Sequence, residues 1–283
     1  MSQSLALRCL LFVPGNRPER FEKAAASGVD RVCIDLEDAV AVSSKAEARK
    51  TAIEALAEQP DGHPFGVRIN APDTDFGQAD LAALAGNKAR PRFLIVPKFE
   101  TRKQTDLVLQ ALGRDCPDLI VLVETTRGLL DLDYELDDTG TVAGVMFGGY
   151  DYSVDAGCQF AWEPLLYARS RLITVARAHG LDCIDVPWIN IKDEQGLVNE
   201  TRAARALGFS AKAAIHPAQV GPIQDQFVPS ENEIARAKAV IAAAEASGGE
   251  AVQVDGRLVD APVIAAARRI LALLSTGKAA AGE

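Results

Sequence analysis

Eight short apolar runs punctuate the chain, and none of them alternates. They are RCLLFVPG from Arg8, RVCIDLED from Arg31, FGVRIN from Phe65, RFLIVPK from Arg92, LIVLVET from Leu119, VAGVMFGGYD from Val142, LDCIDVPW from Leu181 and AKAAIHP from Ala211. A strand that is apolar on both faces must be covered on both faces, as in a parallel sheet flanked by helices. The segments between the runs, such as SKAEARKTAIEALAEQ, LYARSRLITVARAHG and EQGLVNETRAARALG, carry apolar residues at helical spacing, and several end in Gly. Strand and helix in eightfold alternation predict an α/β fold, a TIM (β/α)8 barrel, with an open doubly wound sheet as the other arrangement. After Pro217 the pattern changes. SENEIARAKAVIAAAEAS and APVIAAARRILALLS read as two helices, and GGEAVQVDGRLVDAP between them as a loop or small hairpin. The expected organisation is a barrel over 1–222 and a C-terminal helical extension over 223–283.

Composition narrows the partners. With 48% hydrophobic residues among 283, a large core is within reach. The net charge of -9 and the lack of a basic run make nucleic acid and anionic membranes poor partners, while a small anionic substrate remains compatible with local basic groups. Five scattered cysteines without a CxxC pair argue against a disulfide framework or a zinc site. The first apolar run, LALRCLLFVP, is broken by Arg8 and Pro14, too short for a signal peptide or a span, so a cytoplasmic protein is expected.

In a barrel the carboxyl ends of the strands converge on one mouth. Those ends supply Asp35, Glu37 and Asp38, then Arg68 and Asn70, Lys98, Glu124, Asp151 and His216. Clustered carboxylates resist desolvation unless a cation or water offsets them. An acidic mouth of this kind suits a hard divalent cation, Mg²⁺ or Mn²⁺, and Glu124 and Asp151 on adjacent strands are the leading ligand candidates. Arg68 closes an apolar run, where a guanidinium needs an anion. Gly148 and Gly149 of FGGYD permit close backbone approach, so their amides are candidates to meet a ligand carboxylate. Structural roles stand beside these. Asp38 is also a helix-cap candidate, Glu37 a partner for Arg68, Lys98 a surface residue and His216 a hydrogen-bonded structural group.

At this point the motifs add up. FVPGNRPERFEKA, DLEDAV with KAEAR downstream, VRIN, VPK, VETTRGL, FGGYDY and AIHPAQ, in that order, resemble the citrate lyase β-subunit-like proteins of the HpcH/HpaI aldolase and citrate lyase superfamily, beside malyl-CoA and citramalyl-CoA lyases. The resemblance covers nearly the whole chain. It implies a TIM barrel with a helical extension, assembled as trimers or hexamers, and Mg²⁺ held by Glu124 and Asp151. It implies that Arg68 contacts a keto-acid or thioester oxygen, and that the substrate is a CoA thioester with Arg17, Lys45 and Arg49 toward its nucleotide and phosphates. GRLVDAPV resembles a segment that carries an acid/base Asp into a neighbouring subunit's mouth, here Asp260, whereas the residues by themselves read Asp260 as the cap of the last helix.

The expected activity is a Claisen-type carbon–carbon lyase that splits a β-hydroxyacyl-CoA, such as citramalyl-CoA or malyl-CoA, into acetyl-CoA and a 2-oxo acid. Glu37 and Asp38 would then be outer acids that hold metal-bound water. Three alternatives stand: the β-subunit of a citrate lyase complex acting on a carrier-protein thioester, a CoA-independent pyruvate aldolase, and a non-catalytic binding barrel. The aldolases resemble this chain less, because they place a His near the second strand and none occurs between Met1 and Gly62.

Overall fold

The computed structural model describes residues 5, 7–88, 90–136, 140–246, 252–254 and 256–280. Eight parallel strands close into a barrel in chain order: β1 Cys9–Pro14, β2 Arg31–Asp35, β3 Phe65–Arg68, β4 Phe93–Val96, β5 Asp118–Val123, β6 Val142–Phe147, β7 Asp182–Asp185 and β8 Ala211–Ala214, with β1 paired to β8. Seven strands fall within one of the apolar runs, β5 starts one residue ahead of its run at Asp118, and helices separate them. The closed sheet replaces the open alternative.

Parity along the strands divides the two faces. Leu10, Cys33, Phe93, Ile95, Ile120, Leu122, Met146 and Ile184 meet inside the barrel, and Leu5 and Leu7 ahead of β1 join them. The intervening residues face the helices, except on β6, where a register shift against β5 brings Ala143 into the interior as well as Met146. Helices of the barrel begin with a side-chain oxygen that accepts an orphan amide N–H, among them Thr74 from Gly77, Thr125 from Gly128 and Asp193 from Gly196. Such caps fix where each helix starts after its strand, and so which residues are left at the carboxyl ends.

The chain divides into two compact units, Met1–Gln224 and Asp225–Glu283. In the second, a helix over Glu231–Ala246 is followed by an antiparallel hairpin, β9 Val252–Val254 and β10 Arg257–Val259, and a helix over Ala261–Ala280. Its own small core gathers Ala237, Val240, Val259 and Ala267. Residues 248–251 and 255 of the expected loop, and 247 at the end of the expected helix before it, lie outside the described residues.

Candidate active site

The acids that end β2 are divided between two cations. Asp35, 1% exposed, is gripped on both oxygens by Arg68, Nε to Oδ1 at 2.7 Å and Nη2 to Oδ2 at 2.6 Å. The strands bring the pair together, since Asp35 and Arg68 are register partners across β2 and β3. Asp35 also accepts the Glu37 and Ala39 amides, which folds the following turn over it. Glu37 is buried too. Its Oε1 meets Lys98 Nζ, and its Oε2 lies 3.0 Å from Arg68 Nη1. Burial opposes the charge on Arg68, but Asp35 outweighs it and holds the guanidinium above its ordinary range. Arg68 also lies over the Phe12 ring, 5.1 Å from its centroid.

This revises the expectation for Glu37. Glu37 does not reach out to metal-bound water; both oxygens face cations. Burial pushes its carboxyl up, while Arg68 and Lys98 pull it down. Asp38 is half-exposed, 3.7 Å from Lys98 Nζ. Asp35, which sequence reading left without a role of its own, is the partner that Arg68 requires.

Two of the three residues expected at the CoA phosphates also have other work. Lys45 is buried, and its ammonium donates to Leu36 O, Glu37 O and Asn70 Oδ1. All three of its hydrogens are used, so it braces the β2 turn instead of meeting a phosphate. Arg49 Nε donates to Asp80 Oδ1 at 2.6 Å, and Asp80 Oδ2 in turn accepts the Asn70 amide. Arg17, after β1, is exposed and remains open to an anion.

Glu124 and Asp151 follow β5 and β6. Glu124 is buried and accepts the Lys98 amide on Oε1 at 2.7 Å. Burial first, then the charge of Glu37, pushes its carboxyl up to about 8, and Asp151 adds to the rise. Asp151 is exposed on the first turn of the helix Gly149–Asp155. No described basic side chain is paired with either carboxylate. This donor set fits Mg²⁺: two carboxylates of hard oxygen, with water and substrate oxygens to complete the shell. Among the described residues no group of three or more His, Cys, Asp or Glu gathers, as a self-contained Ca²⁺ or Zn²⁺ cage requires.

The first glycine of FGGYD acts differently than expected. The Gly148 amide donates to Val123 O at 2.8 Å and so does not face a ligand. Its role is clearance: a Cβ there would stand 2.5 Å from Glu124 Cβ and 2.9 Å from Oε2. Gly148→Ala therefore displaces Glu124, and Mg²⁺ affinity by calorimetry should fall at least about tenfold, the usual scale for disturbing a metal ligand's support. Unchanged affinity would show that Glu124 is not a ligand. Gly149 opens the helix after it, packed against Phe147.

His216 is exposed, and its Nδ1 accepts the Ala218 amide, a local cap. Asp260 Oδ1 faces the Val263 amide at 3.4 Å, at the start of the last helix. Sequence reading missed a second charged cluster on the helix-facing side of the barrel. Asp185 and Lys212, both 0% exposed, pair at 2.7 Å; Arg169 holds Asp185 at 2.9 Å, and Glu200 accepts from Lys212 at 2.8 Å. A pocket of about 450 Å³ is lined by Trp162, Arg169, Trp188 and Glu200 among others, and by none of Arg68, Glu124 or Asp151.

Comparison with known proteins follows the same lines. Residues 8–217 match the family described as HpcH/HpaI aldolase/citrate lyase. Human mitochondrial citramalyl-CoA lyase is 32% identical over 294 residues, 96% of this chain and 86% of the human one. The (3S)-malyl-CoA thioesterase of Cereibacter sphaeroides is 35% identical over 276 residues, 95% of each chain. The crystal structure of the CitE protein of Mycobacterium tuberculosis, in complex with magnesium, acetoacetate and coenzyme A, superposes with a TM-score of 0.82 at 34% identity, over 95% of this chain and 98% of that one.

Proposed function

This chain belongs to the HpcH/HpaI aldolase/citrate lyase family, and from that premise we propose that it is an Mg²⁺-dependent carbon–carbon lyase acting on a β-hydroxyacyl-CoA, citramalyl-CoA or malyl-CoA. The observation that carries the reading is the charge balance of the mouth. Asp35 with Arg68 and Glu37 with Lys98 cancel, Asp38 is half in water, and Glu124 and Asp151 remain for a divalent cation.

Glu124 and Asp151 are the residues to hold Mg²⁺, which supplies Lewis-acid polarisation of the hydroxyl and forming keto oxygens of the acid half. Arg68, with N–H bonds on Nη1 and Nη2 left over from Asp35, orients the substrate and stabilises the charge that develops as the carbon–carbon bond breaks. Its rigid salt bridge means that the guanidinium is in place before the substrate arrives. Asp260 supplies the proton to the acetyl-CoA enolate, or removes one from the thioester methyl in the reverse direction. In this reading the C-terminal segment serves a neighbouring copy, so the working form is a homo-oligomer, a trimer or a hexamer. Asp260 is tied to its own helix by one long hydrogen bond, which leaves the carboxylate available. We place the protein in the cytoplasm; no described helix is long and apolar enough to cross a membrane.

The test is release of 2-oxo acid from malyl-CoA and citramalyl-CoA. It should require Mg²⁺, stop with EDTA and be lost in Asp260→Ala. Mixing that variant with Arg68→Ala, each inactive alone, should restore turnover after subunit exchange. No release from either thioester by folded protein would overturn the reading and leave carrier-protein thioesters or free 2-oxo acids.

Proton linkage gives a further expectation. A Glu124 carboxyl near 8 must lose its proton to bind a cation. Apparent Mg²⁺ affinity should therefore rise with pH, about tenfold per unit well below 8, and level off above it. Calorimetry in buffers of different ionisation enthalpy should show close to one proton released at pH 7. In metal-free protein the sign is reversed for stability: the raised pKa costs stability as pH climbs from the ordinary carboxylate value through about 8, and added Mg²⁺ should recover it.

A further inference from the structure

Lys98 is the only described non-glycine residue with a positive φ, 51°. Left-handed backbone is unfavourable for a side chain with a Cβ, and it persists where the surroundings fix it. Here they do. Gln104 Nε2 holds the Lys98 carbonyl at 2.8 Å, and Phe99 N returns to Leu122 O of β5 one residue later. The turn takes the Lys98 amide out of the β4–β5 ladder and aims it at Glu124 Oε1, 2.7 Å away. Glycine would adopt this turn without strain, so the backbone alone does not explain a lysine. The side chain does. Its ammonium contacts Glu37 and lies 3.7 Å from Asp38. One residue thus touches Glu124 with its main chain and Glu37 with its tip, which places Glu37 within a lysine's length of the proposed metal ligand.

Glu37 is a buried carboxylate with a single full hydrogen-bonding partner: Oε2 lies near Arg68 but lacks the alignment of a hydrogen bond. Without Lys98 it would keep only the Arg68 charge, 3.0 Å from Oε2, and its Oε1 would be free to turn to a nearby divalent cation. We infer that Lys98 is a positioning residue that keeps Glu37 off the metal, so that the remaining coordination positions stay open to substrate oxygens. This rests on Glu124 and Asp151 as the metal site and adds to it a specificity device: the mouth is kept at two free carboxylates, which match the cation and leave it able to accept an anionic 2-oxo acid.

The inference predicts two shifts of opposite sign, which a purely structural role does not. In Lys98→Met, Glu37 joins the metal as a third carboxylate. Calorimetry without substrate should show Mg²⁺ bound about tenfold more tightly, because ligand charge count sets affinity at such sites. At saturating Mg²⁺, pyruvate as the probe should bind at least about tenfold more weakly, since its site is filled by a like charge. Lys98→Gly removes the ammonium while relaxing the backbone, and should repeat both shifts if Lys98→Met folds poorly. Lys98→Arg keeps the charge and should stay near the unaltered protein. Adding Glu37→Gln to Lys98→Met should return both constants toward their starting values, whereas Glu37→Gln alone leaves the Lys98 ammonium with only the half-exposed Asp38 at 3.7 Å and weakens Mg²⁺. Mg²⁺ affinity that is unchanged or lower in both the Met and Gly variants, unaltered pyruvate binding, or no rescue by Glu37→Gln overturns the inference. If the unaltered protein binds no Mg²⁺, the metal site itself fails, and this inference with it.

Discussion

Arg68→Lys should lower kcat for thioester cleavage by about 10²–10³-fold, the scale of removing one pre-aligned electrostatic contact in the transition state. Charge is conserved in this change and geometry is not. The guanidinium grips Asp35 through Nε and Nη2, stands 3.0 Å from Glu37 with Nη1 and stacks over Phe12, all at once. An ammonium is a point charge that cannot hold two oxygens of one carboxylate and keep a second face for substrate. Arg68→Ala is the more drastic variant. It leaves Asp35 and Glu37 buried without their guanidinium, a loss of about 3–5 kcal/mol for a broken buried pair. Adding Asp35→Ala separates the two effects: melting temperature should recover, and cleavage should not. If Arg68→Ala with Asp35→Ala regained activity, Arg68 would be structural only. A KM effect with kcat intact would instead assign it to ground-state binding.

The strands were readable because burial on both faces leaves continuous apolar runs, and the strand ends were readable because a barrel gathers them. That sufficed to collect Arg68, Glu124 and Asp151 at one end of the sheet. It did not sort the acids of DLED. Which of them meets Arg68 depends on inward parity and register: Cys33 lies in the interior, Asp35 follows two residues later, and β2 and β3 pair it with Arg68. A stagger of one residue would have presented Leu36 instead. Lys45 was misjudged for a related reason. On a helix read by itself, a lysine is a surface residue, and only the turn after β2 and Asn70 surround it with acceptors. Gly148 carried a local signal that was assigned to the wrong neighbour, because its clearance serves Glu124 from β5.

A lysine in the middle of AKAA and an aspartate in the middle of CIDV were stronger signals than the sequence reading made of them. A charge inside a buried strand has to be paired. Lys212 Nζ donates to Asp185, Val186 O and Glu200 at 2.7, 2.6 and 2.8 Å, with no exposure at all. It ties β8 to β7 and to the helix Glu194–Leu207, while Arg169 ties Asp185 to the helix Trp162–Ala178. Lys212→Met should destabilise the protein by about 3–5 kcal/mol, a large share of the roughly 5–15 kcal/mol that holds a folded domain. The cost comes from the carboxylates left behind. Asp185 is held below the ordinary carboxylate range; burial opposes that, and Lys212 and Arg169 outweigh it. Take away the ammonium, and the buried Asp185 has lost one of its two compensating cations. Adding Asp185→Asn removes the orphaned charge and leaves Arg169 with Glu200, which are already 3.5 Å apart. The double variant should therefore be more stable than Lys212→Met alone, with a coupling of about 1–3 kcal/mol in denaturant unfolding. Strict additivity would mean that the four charges do not act as one unit. The network lies on the helix side of the barrel wall, so the folded fraction of either variant should keep the KM of the unaltered enzyme; a changed KM would mean that this wall also sets the shape of the mouth.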